Sequence, residues 1–139
     1  QYTKKEKHFG YSTAERNKLA LEIAHMAFKF NRRGIICIIC SICHVKETRE
    51  KMRNIIGKVM EVYLDCSVNI CAQRDYKNHY EKALQGLYGN FVGVTEHYQR
   101  SDNVECVLHT GIDSIAECSN RLYKSAIFFL KSERNYLNL

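Results

Sequence analysis

A continuous run of apolar residues at positions 35–40, Ile-Ile-Cys-Ile-Ile-Cys, is the strongest constraint on what this chain can fold into. Four of the six residues are isoleucine, whose β-branched side chain packs well in strands. An unbroken apolar run is typical of a strand in a parallel sheet, because helices cover both of its faces. Six residues are far fewer than the ~18–20 that cross a bilayer. The run therefore predicts a buried parallel strand.

Two capping-box patterns predict the long helices. Ser12 followed by Glu15 begins a helix over about 12–31, and Ser114 followed by Glu117 begins another that reaches about 131. Each helix repeats apolar residues at helical spacing, which predicts one buried face. The faces consist of Leu19, Ile23, Ala27 and Phe30 in the first helix, with Ala20 and Ala24 on the same flank, and of Ile115, Cys118, Leu122 and Phe129 in the second.

The remaining segments alternate between helix and strand. We expect further strands at 60–65 and 104–109, helical segments at 44–57, 67–74 and 77–84, and a glycine-containing loop at 85–95. This alternation predicts an α/β fold with a parallel sheet, in a single domain over residues 1–139. Ligands of such sheets bind at the carboxyl ends of the strands. Those ends are expected at 41–44, 65–66 and 109–111.

The charge of the chain narrows the class of partner. The formal net charge is +6, and Lys and Arg alternate with Glu along most of the sequence. A nucleic-acid interface would instead concentrate the cations on one face with aromatic residues between them. A dispersed surplus suits an anionic small molecule such as a nucleotide. The sequence predicts no nucleic-acid partner and no membrane association.

Seven cysteines indicate a reducing compartment. The number is odd and most of the residues lie in apolar segments, which predicts reduced thiols in a cytoplasmic protein. Cys37, Cys40 and Cys43 match the spacing of an iron–sulfur ligand set. Side chains alternate between the two faces of a strand, so Cys40 would face away from Cys37 and Cys43. No metal site is therefore predicted.

Three groups of residues carry candidate chemistry. The first, at 9–17, places Tyr11 and Arg16 at a helix start, where backbone N–H groups favour an anion. The second, at 74–83, is a cationic segment that also contains Tyr80, and such cations can neutralise phosphates. The third, at 90–94 with Tyr98 nearby, sets Phe91 in a glycine-flanked loop, where it could stack on a base. Taken alone, each group could equally be a helix cap, a solvated surface or a loop anchored in the core.

In their order and spacing these groups resemble the adenylylsulfate kinases. The family's Gly-Phe-Ser-x-x-Asp-Arg-x-x-Asn is similar to residues 10–19, and its Ser-Phe-Ile-Ser-Pro-x-Arg to residues 40–46. Its Arg-Asp-Pro-Lys-Gly-Leu-Tyr-Lys-Lys-Ala looks like residues 74–83, and its Phe-Thr-Gly-Ile like residues 91–94. The likeness runs from about residue 9 to about residue 130.

The resemblance implies the three-layer, parallel-sheet fold of P-loop kinases, here incomplete at its N-terminus. It also implies transfer of the ATP γ-phosphate to the 3′-hydroxyl of adenylyl sulfate, with Mg²⁺ and ATP as cofactors. It leaves a homodimer open. By resemblance the substrate-binding residues are Tyr11, Arg16, Phe91 and Cys43. A lid at about 74–95 would contact the nucleotides through Arg74, Lys77, Tyr80 and Lys82, of which Lys77 and Lys82 are the candidate catalytic side chains.

Departures from the family pattern make the substrate less certain than the fold. Leu19 stands where the family has asparagine, Cys43 where it has serine, His44 where it has proline, and Val92 where it has threonine. The sequence also contains no G-x-x-x-x-G-K-[ST] loop. We therefore expect a partial chain that lacks roughly 50–60 residues before Gln1.

Three functions remain open at this stage. The first is an adenylylsulfate kinase, and the second is a related kinase for another nucleotide such as cytidine diphosphoramidate. The third is a non-catalytic, nucleotide-binding remnant of a kinase.

Overall fold

The computed structural model describes residues 11–136, with side chains through Ser132, so residues 9 and 10 of the first motif lie outside the described part. Helices and strands follow one another along the chain in the order that the sequence predicts, except that two helices come in succession where the sequence predicted the first strand. In chain order they are α1 (Thr13–Asn31), α2 (Lys46–Ile56), β1 (Val62–Asp65), α3 (Val68–Gln73), α4 (His79–Leu84), β2 (Cys106–His109) and α5 (Ile115–Tyr136). No helix among these residues is long and apolar enough to cross a membrane.

The described residues divide into two compact units. Unit 1 comprises the residues up to Val59 together with Gly86–Arg100, and unit 2 comprises Met60–Gln85 together with the residues from Ser101 onward. Each unit is therefore built from two separate segments of the chain. That residues 1–139 form a single domain stays a prediction.

Unit 1 is built on the packing of α1 against α2. The predicted capping box begins α1: the backbone N–H of Glu15 donates to Ser12 Oγ at 3.3 Å, and the Ser12 N–H donates to the Glu15 carboxylate at 3.2 Å. The buried stripe of α1 is made of small residues, Ala20, Ala24 and Ala27. The larger members of the predicted face are at most half-buried, so the helix packs on its alanines.

Unit 2 contains a two-stranded parallel sheet within the described residues. Val62 pairs with Cys106, and the register continues to Asp65 opposite His109. The predicted strands at 60–65 and 104–109 are thus confirmed with shorter bounds. Buried Cys106, Leu108 and Cys118 form the core of the unit.

The strand predicted at 35–40 is wrong, since this segment has no strand assignment in the structure. Ile36 is 69% exposed and Ile38 is 87% exposed. A strand requires a hydrogen-bonded neighbour, and the described residues supply none for this segment. Apolar composition favours a strand only where a partner and covering helices exist.

The predicted apolar face of α5 is correct only in part. Cys118 is buried, but Ile115 is 87% exposed and Leu122 is 38% exposed. The second capping box is confirmed, because Ser114 Oγ accepts from the Glu117 N–H at 3.3 Å while the Ser114 N–H donates to the Glu117 carboxylate at 2.8 Å. Local capping therefore begins the helix without burying its whole apolar face.

Candidate functional site

Arg16 joins two of the predicted substrate-binding segments within unit 1. Its Nε donates to the backbone carbonyl of Tyr11 at 3.0 Å, and its Nη2 donates to the carbonyl of Asn90 at 3.2 Å. The guanidinium also lies 5.5 Å from the centre of the Tyr11 ring, within cation–π range. One side chain thus holds both Tyr11, two residues before α1, and Asn90, the residue before Phe91. The Tyr11 ring itself is 77% exposed.

Phe91 lies in a tight turn that backbone and side-chain hydrogen bonds hold together. Its N–H donates to Thr95 Oγ1 at 2.8 Å, and its carbonyl accepts from the N–H groups of Thr95 at 2.9 Å and Glu96 at 3.1 Å. Gly93 has a φ of +94°, a conformation that residues with a side chain rarely adopt. The Phe91 ring stacks on Tyr88 with centres 6.0 Å apart and planes 10° from parallel. The turn therefore presents an aromatic ring from a fixed backbone.

A shallow, mostly apolar cleft of about 230 Å³ lies beside Tyr11 and Arg16. Leu19 is part of its wall, at the position where the resemblance places an asparagine. Neither Phe91 nor Cys43 belongs to the lining. The lining residues are Tyr11, Arg16, Leu19, Ala20, Ile23, Ser41 and Ile42.

Cys43 lies in the interior of unit 1, where its residue is 7% exposed. Its carbonyl accepts from Arg49 Nη1 at 2.6 Å, and Arg49 Nη2 donates to the carbonyl of Gln99. The same guanidinium lies 4.9 Å from the centre of the Tyr98 ring. Arg49 therefore ties the segment before α2 to residues 98–99. A substrate contact by the Cys43 side chain stays a prediction.

His44, which stands where the resemblance places a proline, is 3% exposed. Its Nε2 lies 3.3 Å from Thr13 Oγ1 and 3.9 Å from a carboxylate oxygen of Glu96. Burial lowers the pKa of the imidazole below its usual 6.5, and the positive charges of Arg16 and Arg49 lower it further, whereas Glu96 opposes them. A lone histidine after an apolar run gave no signal for this role, because its partners are distant in sequence.

The cations of the predicted lid lie in unit 2 and are exposed. Arg74 ends α3, and its Nη1 donates to the carbonyl of Thr110 at 2.9 Å. Lys77 lies 5.3 Å from the centre of the Tyr76 ring. Lys82 is exposed on α4. Three positive side chains within one short stretch can neutralise phosphate oxygens.

Tyr80 is the half-buried member of this segment. Its backbone N–H donates to the Asp75 carboxylate at 2.5 Å, which holds the start of α4. Burial raises the pKa of its phenol to about 12, and the hydrogen bond with Cys71 acts in the same direction. The hydroxyl therefore stays protonated and can donate or accept a hydrogen bond at neutral pH.

The carboxyl ends of β1 and β2 bring a further pair together, at ends that the sequence had marked for ligands. Asp65 Oδ2 lies 3.0 Å from His109 Nδ1, and both side chains are about two-fifths exposed. Thr110 Oγ1 donates to the Asp65 carbonyl at 3.3 Å. The pairing itself was not predicted, since it depends on the register of the two strands.

The structure brings together some of the predicted site residues in each unit. Unit 1 holds Tyr11, Arg16 and the Phe91 turn, and unit 2 holds the cations and Tyr80 of the lid. Among the described residues no group of three or more His, Cys, Asp or Glu side chains could hold a metal ion.

The chain is similar in sequence to the adenylylsulphate kinases. The model of the adenylylsulphate kinase family matches residues 3–109. An adenylyl-sulfate kinase of Synechococcus sp. (strain JA-3-3Ab) is 34% identical over 119 residues, which are 86% of this chain and 68% of that protein. An adenylyl-sulfate kinase of Clostridium kluyveri is 35% identical over 114 residues, 81% of this chain and 57% of that protein.

The crystal structure of APE1195 has a similar fold. It superposes with a TM-score of 0.72 at 30% identity, over 87% of this chain and 69% of that one. The predicted fold class, an α/β fold with a parallel sheet of the P-loop kinase kind, is confirmed. The chain spans 57–68% of the length of the two relatives above.

Proposed function

The chain belongs to the adenylylsulphate kinase family, and we propose from this that its protein transfers the γ-phosphoryl group of ATP to the 3′-hydroxyl of adenylyl sulfate. The product would be the activated sulfate donor that carries a 3′-phosphate. The proposal places the protein in the cytoplasm, with small nucleotides as partners, and leaves a homodimer open.

The observation that carries the proposal is the pair of hydrogen bonds from Arg16. Because they fix the carbonyls of Tyr11 and Asn90, the Tyr11 ring and the Phe91 turn are presented from one anchored frame. Aromatic rings so placed can stack on the adenine, and base stacking is worth about 1–3 kcal/mol per base. A guanidinium beside them suits the phosphate–sulfate group of the same substrate.

The exposed cations at 74–82 fit the second task of the reaction. Phosphoryl transfer needs little covalent chemistry from a protein and depends on positioning and charge neutralisation. In the proposal Arg74, Lys77 and Lys82 contact phosphate oxygens. Tyr80, whose phenol pKa is raised to about 12 by burial and is thus protonated even in alkaline solution, would add a neutral hydrogen bond.

ATP enters the proposal as a substrate and Mg²⁺ as its companion ion, and both come from family membership. Mg²⁺ is usually held by one or two carboxylates together with substrate phosphates and water. The described residues contain no cluster that would hold the ion alone.

One observation favours a second candidate substrate. Leu19 makes the wall of the cleft beside Tyr11 apolar where the resemblance places an asparagine. A pocket that loses a polar contact loses discrimination for the polar group it would have met. A cytidine nucleotide such as cytidine diphosphoramidate is therefore the alternative acceptor.

A coupled kinase assay of the full-length protein tests the proposal. ATP consumption is measured with adenylyl sulfate and, separately, with cytidine diphosphoramidate as the acceptor. We expect turnover with adenylyl sulfate and, in Leu19→Asn, a lower KM for that acceptor. Turnover with the cytidine compound alone would establish the alternative. The absence of turnover with either acceptor, in a protein that still binds adenylyl sulfate, would identify a non-catalytic nucleotide-binding module.

A further inference from the structure

His44 connects two parts of unit 1 that carry proposed substrate-binding residues. Its Nε2 meets Thr13 Oγ1 in the first turn of α1, three residues before Arg16. The same Nε2 lies 3.9 Å from a carboxylate oxygen of Glu96. The N–H of Glu96 in turn donates to the carbonyl of Phe91. One imidazole therefore links the start of α1 to the Phe91 turn.

The partners of Nε2 select one form of the ring. The Glu96 carboxylate can only accept a hydrogen bond, whereas the Thr13 hydroxyl can donate or accept. A proton on Nε2 can be donated to the Thr13 hydroxyl at 3.3 Å and is attracted by the Glu96 carboxylate, which at 3.9 Å is an electrostatic contact and not a hydrogen bond. Nδ1 then carries the lone pair. Nδ1 is buried and has no hydrogen-bond partner among the described residues. The neutral ring with its proton on Nε2 is thus the form that the surrounding groups favour.

The charges that face the ring come from three elements. Arg16 on α1 and Arg49 on α2 disfavour a second proton, and Glu96 in the turn favours it. Burial disfavours the charged ring most strongly. Since the pKa is lowered in the folded state, the contribution of His44 to stability is present above its ordinary value of 6.5 and is lost as the pH falls below it.

We propose that His44 is a positioning residue for the acceptor nucleotide, which it serves by fixing the start of α1 and the Phe91 turn relative to each other inside unit 1. The proposal rests on the proposed function for the identity of the nucleotide. The resemblance places a proline at this position, and proline has no side-chain donor, so the link through His44 is a property of this chain. His44 need not touch the nucleotide.

The kinetic test compares His44→Ala and His44→Gln with the control His25→Ala, which removes an exposed histidine from α1. In His44→Ala we expect the KM for adenylyl sulfate to rise about 2- to 13-fold, the loss of roughly one hydrogen bond, while kcat and the KM for ATP stay within about twofold. His44→Gln keeps an N–H donor and should restore most of the affinity. Equal KM values in the two variants, or an equal rise for both substrates, would overturn the proposal.

A pH series separates positioning from mere packing. In the wild type, the KM for adenylyl sulfate should rise as the pH falls well below 6.5, because a charged ring is disfavoured by burial and is repelled by Arg16 and Arg49. His44→Gln cannot take up a proton in this range and should lack that rise. The same rise in both proteins would contradict the role assigned to the imidazole.

Amide hydrogen exchange gives a readout that does not depend on the substrate. The N–H of Gly93 donates to the Glu96 carbonyl at 2.8 Å, so His44→Ala and Thr13→Val, which removes the hydroxyl partner, should both speed exchange at Gly93 and Glu96. Exchange at β2 in unit 2 should not change. If the wild type fails to phosphorylate adenylyl sulfate, the proposed function fails and the exchange result still decides the role of His44. Unchanged exchange in both variants would refute it.

Discussion

The guanidinium of Arg16 donates a hydrogen bond to the carbonyl of Asn90 across 74 positions of sequence. The same group donates to the carbonyl of Tyr11. Its two partners are backbone atoms, so the effect of Arg16 on a ligand combines direct charge with the position of the rings that it anchors. This dual role shapes what each substitution in unit 1 is expected to do.

Arg16→Ala should raise the KM for adenylyl sulfate, because it removes a cation and releases both anchored carbonyls. We expect a loss of about 1.5–3 kcal/mol in binding, the range for charge-assisted hydrogen bonds. Calorimetric titration with adenylyl sulfate measures the loss. Arg32→Ala, which removes an exposed arginine at the other end of α1, is the matched control and should bind normally. Unchanged affinity in Arg16→Ala would refute the assignment.

Phe91→Ala should weaken binding of the same substrate by about 1–3 kcal/mol, the value of a base stacked on an aromatic ring. Phe91→Tyr keeps the ring and should bind within about threefold of the wild type, a loss smaller than one typical hydrogen bond. Fluorescence titration with adenylyl sulfate distinguishes the two. Loss of affinity in both variants would point to damage to the turn instead, and thermal unfolding would then detect it.

Ser114→Ala should lower the free energy of unfolding by about 0.5–2 kcal/mol, since it removes the side-chain cap of α5. Ser119→Ala changes an exposed serine inside the same helix and should be neutral or slightly stabilising, because alanine has the higher helix propensity. Urea denaturation of both variants measures the difference. If the cap contributed nothing to the free energy of unfolding, the denaturation curves of the two variants would coincide.

Stability should fall between about pH 10 and pH 12 through the titration of Tyr80. The folded-state pKa of its phenol is raised to about 12 from an ordinary value of 10. The stabilising contribution is therefore complete below pH 10 and is lost as the pH rises through 12. Denaturation of the wild type and Tyr80→Phe at a series of pH values isolates this residue. A constant difference between the two proteins over that range would contradict the shift.

Local signals in the sequence predicted the helix starts well. Both capping boxes depend on residues three apart, and both formed. The two strands that the structure contains were also predicted, because Val62 and Leu108 lie in apolar segments that find a partner and a core. At 35–40 the same composition gave a wrong prediction, since no partner strand exists among the described residues.

In the candidate site, too, features that depend on nearby residues differ from contacts that depend on distant ones. Tyr11 and Arg16 were predicted as site residues because a helix start favours anions whatever surrounds it, and their role in binding stays a prediction. The contacts of Arg16 with Asn90 and of His44 with Glu96 could not, because each joins segments more than fifty positions apart. Only the folded chain shows which distant carbonyl or carboxylate such a side chain meets. Leu19, by contrast, could be recognised from the sequence as a departure from the family's asparagine. The structure adds that its side chain lines the cleft beside Tyr11 and Arg16.

The interleaving of the two units has a consequence for how the chain is made. Asp65 at the end of β1 precedes its partner His109 by 44 positions, and residues 86–100 of the intervening stretch belong to the other unit. At roughly 5–20 residues per second of synthesis, β1 waits about 2–9 s for the strand that pairs with it. During that time its backbone N–H and C=O groups lack the ladder that later satisfies them. Any ribosome pause within residues 66–105 would lengthen this exposure, so the speed of translation there bears directly on how much of the protein reaches its folded state.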